Sequence, residues 1–276
     1  MNLEDAIRIV EDAASYGIRK ISITGGEPLL FADEIKKISE KAANLGIAVT
    51  VLTNGFWGDR NARSFLLDLK KHGVVRLVLS TDEYHAEFVP VERFITAAKV
   101  ANNLGFRVGV VLSFTQDMKK LAKIENSLIK ARVKYMKRPV LARGRGANIK
   151  KELIKKRGMP VSKRFGPCSG FPFPMVMVDG RVLVCCFVNK DLISENNGII
   201  IGNTKDKSLD KILKEAESNY FVKQLGKKHP FTVYQEHRGA LNKAGFKPEK
   251  YQSICDFCTL LLNKKDVILK DAKLTK

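Results

Sequence analysis

The residues best suited to bind a small ligand are Gly25, Gly26 and Glu27, which directly follow the strand-like run Ile21–Thr24. An apolar, β-branched run of this kind indicates a buried parallel strand, and glycines at its end let bare backbone approach a ligand. The Glu27 carboxylate could accept hydrogen bonds from a ligand ammonium, each contributing about 1.5–3 kcal/mol. Pro28 then ends the strand. The same residues would equally suit a tight strand-to-helix turn with a solvated glutamate.

A second group of residues that could carry out chemistry is the set of cysteines, which are Cys168, Cys185, Cys186, Cys255 and Cys258. Clustered cysteines in an intracellular protein indicate metal or redox chemistry more often than disulfides. The Asp179-Gly180 pair lies between β-branched arms and predicts a hairpin that folds Cys185 back toward Cys168. With the C-x2-C pair Cys255 and Cys258, these thiols could hold a tetrahedral zinc ion or a [4Fe–4S] cluster. Cys186 is interpreted as a spare thiol that could exchange roles with Cys185.

The elements that position these residues follow from hydrophobic periodicity. Residues 3–16 have helical spacing, and a unit of strand, polar tip and helix then repeats about every 30 residues. Such units predict a parallel sheet, most simply a barrel or part of one. The predicted strands are Lys20–Thr24, Ala48–Thr53, Val75–Ser80, Arg107–Ser113 and Val133–Leu141. The predicted helices between them are Ala32–Leu45, Asn61–His72, Val89–Leu104 and Asp117–Ala131, three of which end at Gly46, Gly73 or Gly105.

Each predicted strand ends in polar residues that could hold a ligand. In β/α barrels the carboxyl ends of the strands form one face, and active sites lie there, so the tips are expected to converge on one mouth. Each tip alone could instead be a cap or a turn. The tips are Thr24–Glu27, Thr53-Asn54-Gly55, Ser80-Thr81-Asp82 with His85, Ser113, and Arg143-Gly144-Arg145.

The Gly-Gly-Glu-Pro sequence and the order of the β-α units resemble the radical S-adenosylmethionine (SAM) enzymes over residues 3–145. The resemblance implies an α/β fold in residues 1–150, a partial (β/α)6 TIM-like barrel without its first strand. It implies that Gly25, Gly26 and Glu27 contact the amino group of SAM. Asn54 or Ser80 would contact the ribose. Ser113, together with Arg143 or Arg145, would contact the ribose or the carboxylate. Asp82 and His85 would face the substrate, although His85 could equally be a capped loop histidine.

The sequence departs from that family in one respect, because no cysteine precedes Cys168. The family's C-x3-C-x2-C cluster motif follows a first strand, whereas this sequence opens on the helix at residue 3. We expect the strand and the motif to lie upstream, since a barrel without its first strand leaves a long apolar edge unpaired. If the protein begins at Met1, SAM could bind but could not be cleaved reductively at this site.

The C-terminal part, residues 151–276, is expected to form a small α+β domain. Its Cys-x11-Gly-x4-Cys element from Cys168 to Cys185 resembles the SPASM domain, or the shorter twitch domain, which carries auxiliary iron–sulfur clusters. The absence of cysteines after Cys258 favours a single cluster. The alternative is a structural zinc site that only stabilises the domain. Aromatic residues between positions 219 and 250 predict a small core, or less directly a substrate entrance.

Composition limits the partners. The chain has 276 residues, 45% of them hydrophobic, and a formal net charge of +20, which favours polyanions such as RNA, although lysines spread over helix faces would give the same value. No apolar run reaches the roughly 18 residues of a membrane span and no secretory signal is visible, so we predict a cytoplasmic protein.

Two functions remain open on the sequence. The first is a radical SAM oxidoreductase or maturase with an auxiliary cluster, which would abstract hydrogen from a substrate, with a peptide as the first candidate, and would need a reductant protein. The second is a non-enzymatic module that binds RNA or a partner protein and has a structural zinc site. Modification of RNA by radical chemistry would combine features of both.

Overall fold

The computed structural model describes residues 1–140, 146, 148–150, 168, 172–186, 190–247 and 253–274. Nearly all of them belong to two compact units, one built from residues 2–140 with 148–150 and one from residues 168–274. The predicted domain division near residue 150 falls partly outside the described residues and stays a prediction. No helix in the described ranges combines the length and the apolar character needed to cross a membrane.

The N-terminal unit is a parallel sheet of five strands in the order β1-β2-β3-β4-β5, with helices in the connections. This architecture confirms the predicted α/β fold of a partial barrel. The strands are β1 Lys20–Ile23, β2 Ala48–Thr53, β3 Val74–Thr81, β4 Arg107–Phe114 and β5 Met136–Pro139. The helices are α1 Leu3–Tyr16, α2 Ala32–Asn44, α3 Ala62–Lys71, α4 Val91–Asn103 and α5 Met118–Lys130, with 3₁₀ helices at Pro28–Phe31 and His85–Glu87.

Local sequence explains where these elements begin and end. Asn2 caps α1, because its side chain accepts a 2.8 Å hydrogen bond from the backbone N–H of Asp5. Gly17 ends α1 in the left-handed conformation, with φ at +99°. Arg132 ends α5 in the same way with φ at +56°, and the backbone N–H of Val133 then bonds to Leu128. The fifth strand therefore begins at Met136 rather than at Val133 as predicted.

The core of this unit lies between the sheet and its helices. Fully buried side chains alternate along the strands, for example Val49 and Val51 in β2 and Leu77 and Leu79 in β3. The residues between them, which include Ser80, are half-buried. This period of two means that one face of the sheet packs on helices while the other remains accessible.

The C-terminal unit combines a three-stranded antiparallel sheet with six helices among its described residues. The hairpin predicted from Asp179-Gly180 is present, and Gly180 adopts a φ of +91° at its turn. A third strand, β8, which the sequence analysis did not identify, pairs with the hairpin. The elements are β6 Met175–Val176, β7 Arg181–Leu183, β8 Ile200–Asn203, α6 Leu209–Ala216, α7 Tyr220–Lys227, α8 Pro230–Glu236, α9 Arg238–Lys243, α10 Ile254–Leu262 and α11 Lys265–Leu274.

Aromatic side chains form the centre of this second unit. The rings of Tyr234, Phe246 and Phe257 pack against one another with centroids 5.6–5.8 Å apart, and Phe257 is fully buried. The aromatic residues predicted to form a small core therefore do so. Because Phe257 lies between Cys255 and Cys258, this core holds the C-x2-C segment in place.

Candidate cofactor-binding sites

The tip of β1 has the backbone conformation that its two glycines allow. Gly25 and Gly26 have φ values of +115° and +49°, and both are exposed. A Cβ built on either glycine meets nothing within 4 Å, so the positive φ, not crowding, is what favours glycine at both positions. The exposed backbone at this tip is accessible to a ligand, as the sequence predicted.

Glu27 joins the tip of β1 to the tip of β2. Its Oε2 accepts a 2.6 Å hydrogen bond from the backbone N–H of Asn54, and its Oε1 accepts a 3.2 Å bond from the backbone N–H of Leu29. The second bond caps the 3₁₀ helix Pro28–Phe31. A carboxylate has about four lone-pair sites, so these two bonds leave capacity for a ligand ammonium. Glu27 therefore holds the two strand tips in position and could also bind the ammonium group of a ligand.

The tip of β2 is held by its own side chains. The Asn54 Oδ1 accepts a 3.0 Å hydrogen bond from the backbone N–H of Phe56. The buried Thr53 hydroxyl oxygen accepts bonds from the backbone N–H of Gly55 and from the indole N–H of Trp57, at 3.2 and 3.1 Å. Since its carbonyl shapes the turn, Asn54 would contact a ribose through its NH2 group.

Asp82 and His85, predicted to face the substrate, are bound to each other. The Asp82 Oδ1 accepts the backbone N–H groups of Tyr84 and His85, at 2.9 and 2.7 Å, and Oδ2 accepts His85 Nδ1 at 2.8 Å. Burial pushes the pKa of Asp82 upward, but its hydrogen bonds with His85 outweigh burial and the pKa is lowered overall. Asp82 thus fixes the loop and directs the Nε2 side of the His85 ring away from itself.

Ser80 and Ser113 lie on the half-buried face of the sheet, near the ends of neighbouring strands β3 and β4. The strand register puts Ser80 beside Val111, so Ser113 lies two residues further along the same face. Both hydroxyls are consistent with the predicted contacts to SAM. Arg143 and Arg145 lie outside the described residues, and their roles stay predictions.

A buried carboxylate that the sequence analysis did not select is Glu83, which is only 4% exposed. One of its oxygens, Oε1, accepts the hydroxyl of Thr115, a buried residue that follows β4. Glutamate is seldom buried without a partner, so the structure marks this position as unusual. The sequence signal that could have drawn attention to it is an Asp-Glu pair placed directly after a predicted strand.

A cavity of about 450 Å³ opens beside the tips of β1 and β2. It is mainly apolar and aromatic, with one acidic and one basic side chain in its lining. No sequence motif indicated it, because its walls come from the 3₁₀ helix, the β2–α3 connection, α3 and α4. The lining residues are Leu29, Leu30, Phe56, Trp57, Asp59, Asn61, Phe65 and Arg93.

Four cysteines of the C-terminal unit interact around Cys258. Burial raises the pKa of the Cys258 thiol well above its usual value, and the charges of Cys185, Cys255 and Cys168 raise it further. Cys255 and Cys258 lie three residues apart in α10, hence on the same side of that helix. A β-bridge joins Cys185 to Phe173. The charges of the four predicted ligands thus act on one another at Cys258, although the residues lie 3 to 90 positions apart in the sequence.

The donor set fits an iron–sulfur cluster or a zinc ion in number and in chemical type, since both are bound by four thiolates. In the described ranges no three His, Cys, Asp or Glu side chains are close enough together to hold a metal ion as they stand. No disulfide joins any of the five cysteines. Cys186 is exposed, unlike its buried neighbour Cys185, which agrees with its interpretation as a spare thiol.

The model of the radical SAM superfamily matches residues 1–124, the part that contains the first four strands. The chain belongs to the radical SAM superfamily. The SPASM model, described as an iron–sulfur cluster-binding domain, matches residues 168–259 and so spans Cys168 to Cys258. SAM and an iron–sulfur cluster are therefore the cofactors of this radical SAM protein, as predicted, and the zinc alternative is not favoured.

Among curated relatives, the "Putative peptide biosynthesis protein YydG" of Bacillus subtilis (strain 168) is 24% identical over 272 residues, which cover 94% of this chain and 82% of that protein. A GTP 3',8-cyclase of Campylobacter jejuni (strain RM1221) is 41% identical over 85 residues, but these cover only 30% of this chain and 25% of the cyclase. The chain thus matches about a quarter of that cyclase's length.

A solved structure described as "Native anSMEcpe with bound AdoMet and Kp18Cys peptide" aligns with a TM-score of 0.58 and 15% sequence identity. The alignment covers 100% of this chain and 89% of that one. At this level of identity the similarity supports the fold of the radical SAM protein and does not extend to its substrate.

Proposed function

We propose that this radical SAM protein is the barrel and SPASM portion of an enzyme that modifies a peptide by hydrogen abstraction. The observation that carries the proposal is the presence of two sites in one chain: strand tips arranged by Glu27, and three thiols whose charges act on the thiol of Cys258. A relative that aligns over nearly the whole chain is named for peptide biosynthesis, and the aligned solved structure holds AdoMet and a peptide. These two names support a peptide as the substrate class.

The residues of the first site would bind and orient SAM. The exposed backbone of Gly25 and Gly26 and the carboxylate of Glu27 would accept hydrogen bonds from the SAM ammonium. The NH2 group of Asn54 and the hydroxyls of Ser80 and Ser113 would bind the ribose. When it is bound beside a reduced cluster, SAM supplies the 5′-deoxyadenosyl radical. No cysteine precedes Cys168, so residues 1–167 contain no thiol that could hold this cluster.

In the second site, Cys168, Cys185, Cys255 and Cys258 would hold one auxiliary [4Fe–4S] cluster. The cluster would relay electrons during the reaction or contact the substrate. A separate reductant protein would supply electrons to the enzyme, and we place this chemistry in the cytoplasm.

Metal analysis after anaerobic purification tests the auxiliary cluster. We expect roughly four irons and four sulfides per chain in the wild type, and their loss in Cys255→Ser and Cys258→Ser. The matched control is Cys186→Ser, which should keep the full complement because the exposed thiol is a spare. One zinc per chain without sulfide would contradict the proposal and would favour a structural site.

Calorimetric titration with SAM tests the first site. Wild type should bind SAM, and Glu27→Ala should bind it at least about tenfold more weakly, since a charge-assisted hydrogen bond contributes about 1.5–3 kcal/mol. The control Glu92→Gln removes an exposed carboxylate in the first turn of α4 and should bind like wild type. Equal SAM affinity in all three proteins would contradict the assignment of Glu27.

Binding of RNA is a second candidate function, favoured by the net charge of +20. Because phosphate contacts release counterions, the affinity for RNA should fall steeply as the salt concentration rises. Titrating a labelled single-stranded RNA at several salt concentrations measures this slope. If the protein bound RNA weakly and no more tightly than other polyanions, its positive charge would serve only to solvate the surface.

A further inference from the structure

Glu83 has one carboxylate oxygen without a hydrogen-bond partner. Its Oε2 is fully buried and, within the described part of the chain, meets no donor. The other oxygen, Oε1, is held by the hydroxyl of Thr115, whose oxygen accepts the backbone N–H of Asp117 at 3.2 Å. These bonds fix the carboxylate between the ends of β3 and β4. Glu83 therefore presents a buried, oriented acceptor that no described residue satisfies.

The surroundings of Glu83 are acidic in a strongly basic chain. The phenol of Tyr84 has its pKa raised by burial and then by the charges of Glu83, Asp82, Asp117 and Glu87. No lysine or arginine occurs in residues 81–90 or 113–117, although the chain has 49 of them. The nearest basic side chain in sequence, His85, donates Nδ1 to Asp82 and not to Glu83. These two segments are thus acidic in sequence, while the neighbouring strand β5 places Arg138 beside Ser113.

We propose that Glu83 Oε2 binds a cationic nitrogen, an ammonium or guanidinium group of the substrate peptide. A nitrogen cation can donate a hydrogen bond to the buried oxygen, which no described residue does, and its charge suits a carboxylate. A metal ion suits the position less well, because Oε1 and the Asp82 carboxylate are already engaged and a metal needs several oxygen ligands. The inference rests on the proposed function and adds the charge of the group that is recognised.

The same chemistry has a second possible source, because SAM also carries an ammonium group. The experiment therefore has two arms, both performed on wild type, Glu83→Gln and the control Glu92→Gln. Glutamine keeps an oxygen that can accept the Thr115 hydroxyl, so the substitution removes the charge with little change of shape. Thermal melting verifies that each variant is folded.

In the first arm, fluorescence anisotropy at low salt compares short glycine–serine peptides that contain one lysine, arginine, norleucine or citrulline. Wild type and Glu92→Gln should bind the two cationic peptides about tenfold more tightly than the neutral ones, the preference expected from one charge-assisted hydrogen bond. Glu83→Gln should lose this preference.

In the second arm, calorimetry compares SAM with 5′-methylthioadenosine, which lacks the amino-acid part. A loss of SAM affinity confined to Glu83→Gln, with 5′-methylthioadenosine unchanged, would assign the cation to SAM and overturn the peptide assignment. If Glu83→Gln alters neither the peptide preference nor SAM binding, the inference is wrong. Binding of SAM with no binding of any peptide would instead contradict the peptide part of the proposed function, and the SAM arm would still decide whether Glu83 meets a cation.

Discussion

The two candidate cofactor sites of this protein are held by different means. At the strand tips of the N-terminal unit, carboxylates and hydroxyls bond to backbone N–H groups, as Glu27 does with Asn54 and Asp82 with His85. The candidate site in the C-terminal unit consists of thiols whose charges act on the half-buried Cys258, whose pKa is raised by burial and by its neighbours. The first site is arranged by the protein alone, whereas the second concentrates groups that repel one another once ionised.

This difference indicates which of the two units depends on its cofactor for stability. A site that is already hydrogen-bonded changes little when the ligand leaves, whereas four thiolates need a metal to offset their charge. The one tryptophan, Trp57, lies in the N-terminal unit, where its indole N–H donates to Thr53. Trp57 fluorescence therefore reports on the first unit separately, and visible absorption of the cluster reports on the second.

The largest expected effect comes from removing the cluster. Chelation of iron, or Cys258→Ser, should lower the free energy of unfolding of the C-terminal unit by about 4 kcal/mol or more, as expected when a protein loses its metal. Limited proteolysis should then cut within residues 168–274. The urea midpoint of Trp57 fluorescence should stay the same. A parallel fall in that midpoint would show that the N-terminal unit also depends on the cluster.

Glu27→Ala should have the next largest effect, now on the first unit. Losing the bonds to Leu29 and Asn54 should lower the unfolding free energy by about 1.5–3 kcal/mol, the range for hydrogen bonds to charged groups. Urea unfolding followed by Trp57 fluorescence measures the change. The iron content should not change, and Glu92→Gln should unfold like wild type. If Glu27→Ala also released the cluster, the two sites would not be independent.

The Asp82–His85 pair predicts a pH dependence of intermediate size. Because the pKa of Asp82 is lowered from 3.8 on folding, its stabilisation is fully present above that value and disappears as the pH falls through the lower folded pKa. Asp82→Asn should therefore cost about 1–2 kcal/mol at neutral pH, the scale of a partly buried, hydrogen-bonded carboxylate. Unfolding curves of the variant and of wild type should converge in acid. A constant difference between them down to pH 2 would contradict this account.

The smallest effect is expected at an exposed ion pair of the C-terminal unit. Lys207 Nζ lies 2.8 Å from the Glu215 carboxylate, and both side chains are more than half exposed. Lys207→Gln should change the unfolding free energy by less than about 1 kcal/mol, because exposed ion pairs are weak and are screened by salt. Thermal melting of the cluster-loaded protein measures it. A larger loss would show that surface charge also holds this unit together.

The sequence by itself determined most of the N-terminal fold. The helix at residue 3, four of the strands and their helices lie within a residue or two of the predicted bounds, because apolar periodicity and helix-ending glycines such as Gly46 and Gly73 act locally. The set of four cysteines likewise indicated a site for zinc or an iron–sulfur cluster, and the resemblance to SPASM domains favoured the cluster. Short elements without strong periodicity, such as β8 and helices α7–α9, were not identified.

Only the tertiary structure decided which polar groups meet. Glu27 bonds to Asn54 and Glu83 to Thr115 across 27 and 32 positions, and each pair is formed by neighbouring parallel strands. Sequence patterns report which face of a strand is buried, but the partner of a side chain at a strand tip depends on the register between strands and on the loop that follows. For this reason the acidic side chains at the tips could be selected as candidates from the sequence, while the unsatisfied oxygen of Glu83 became visible only in the folded protein.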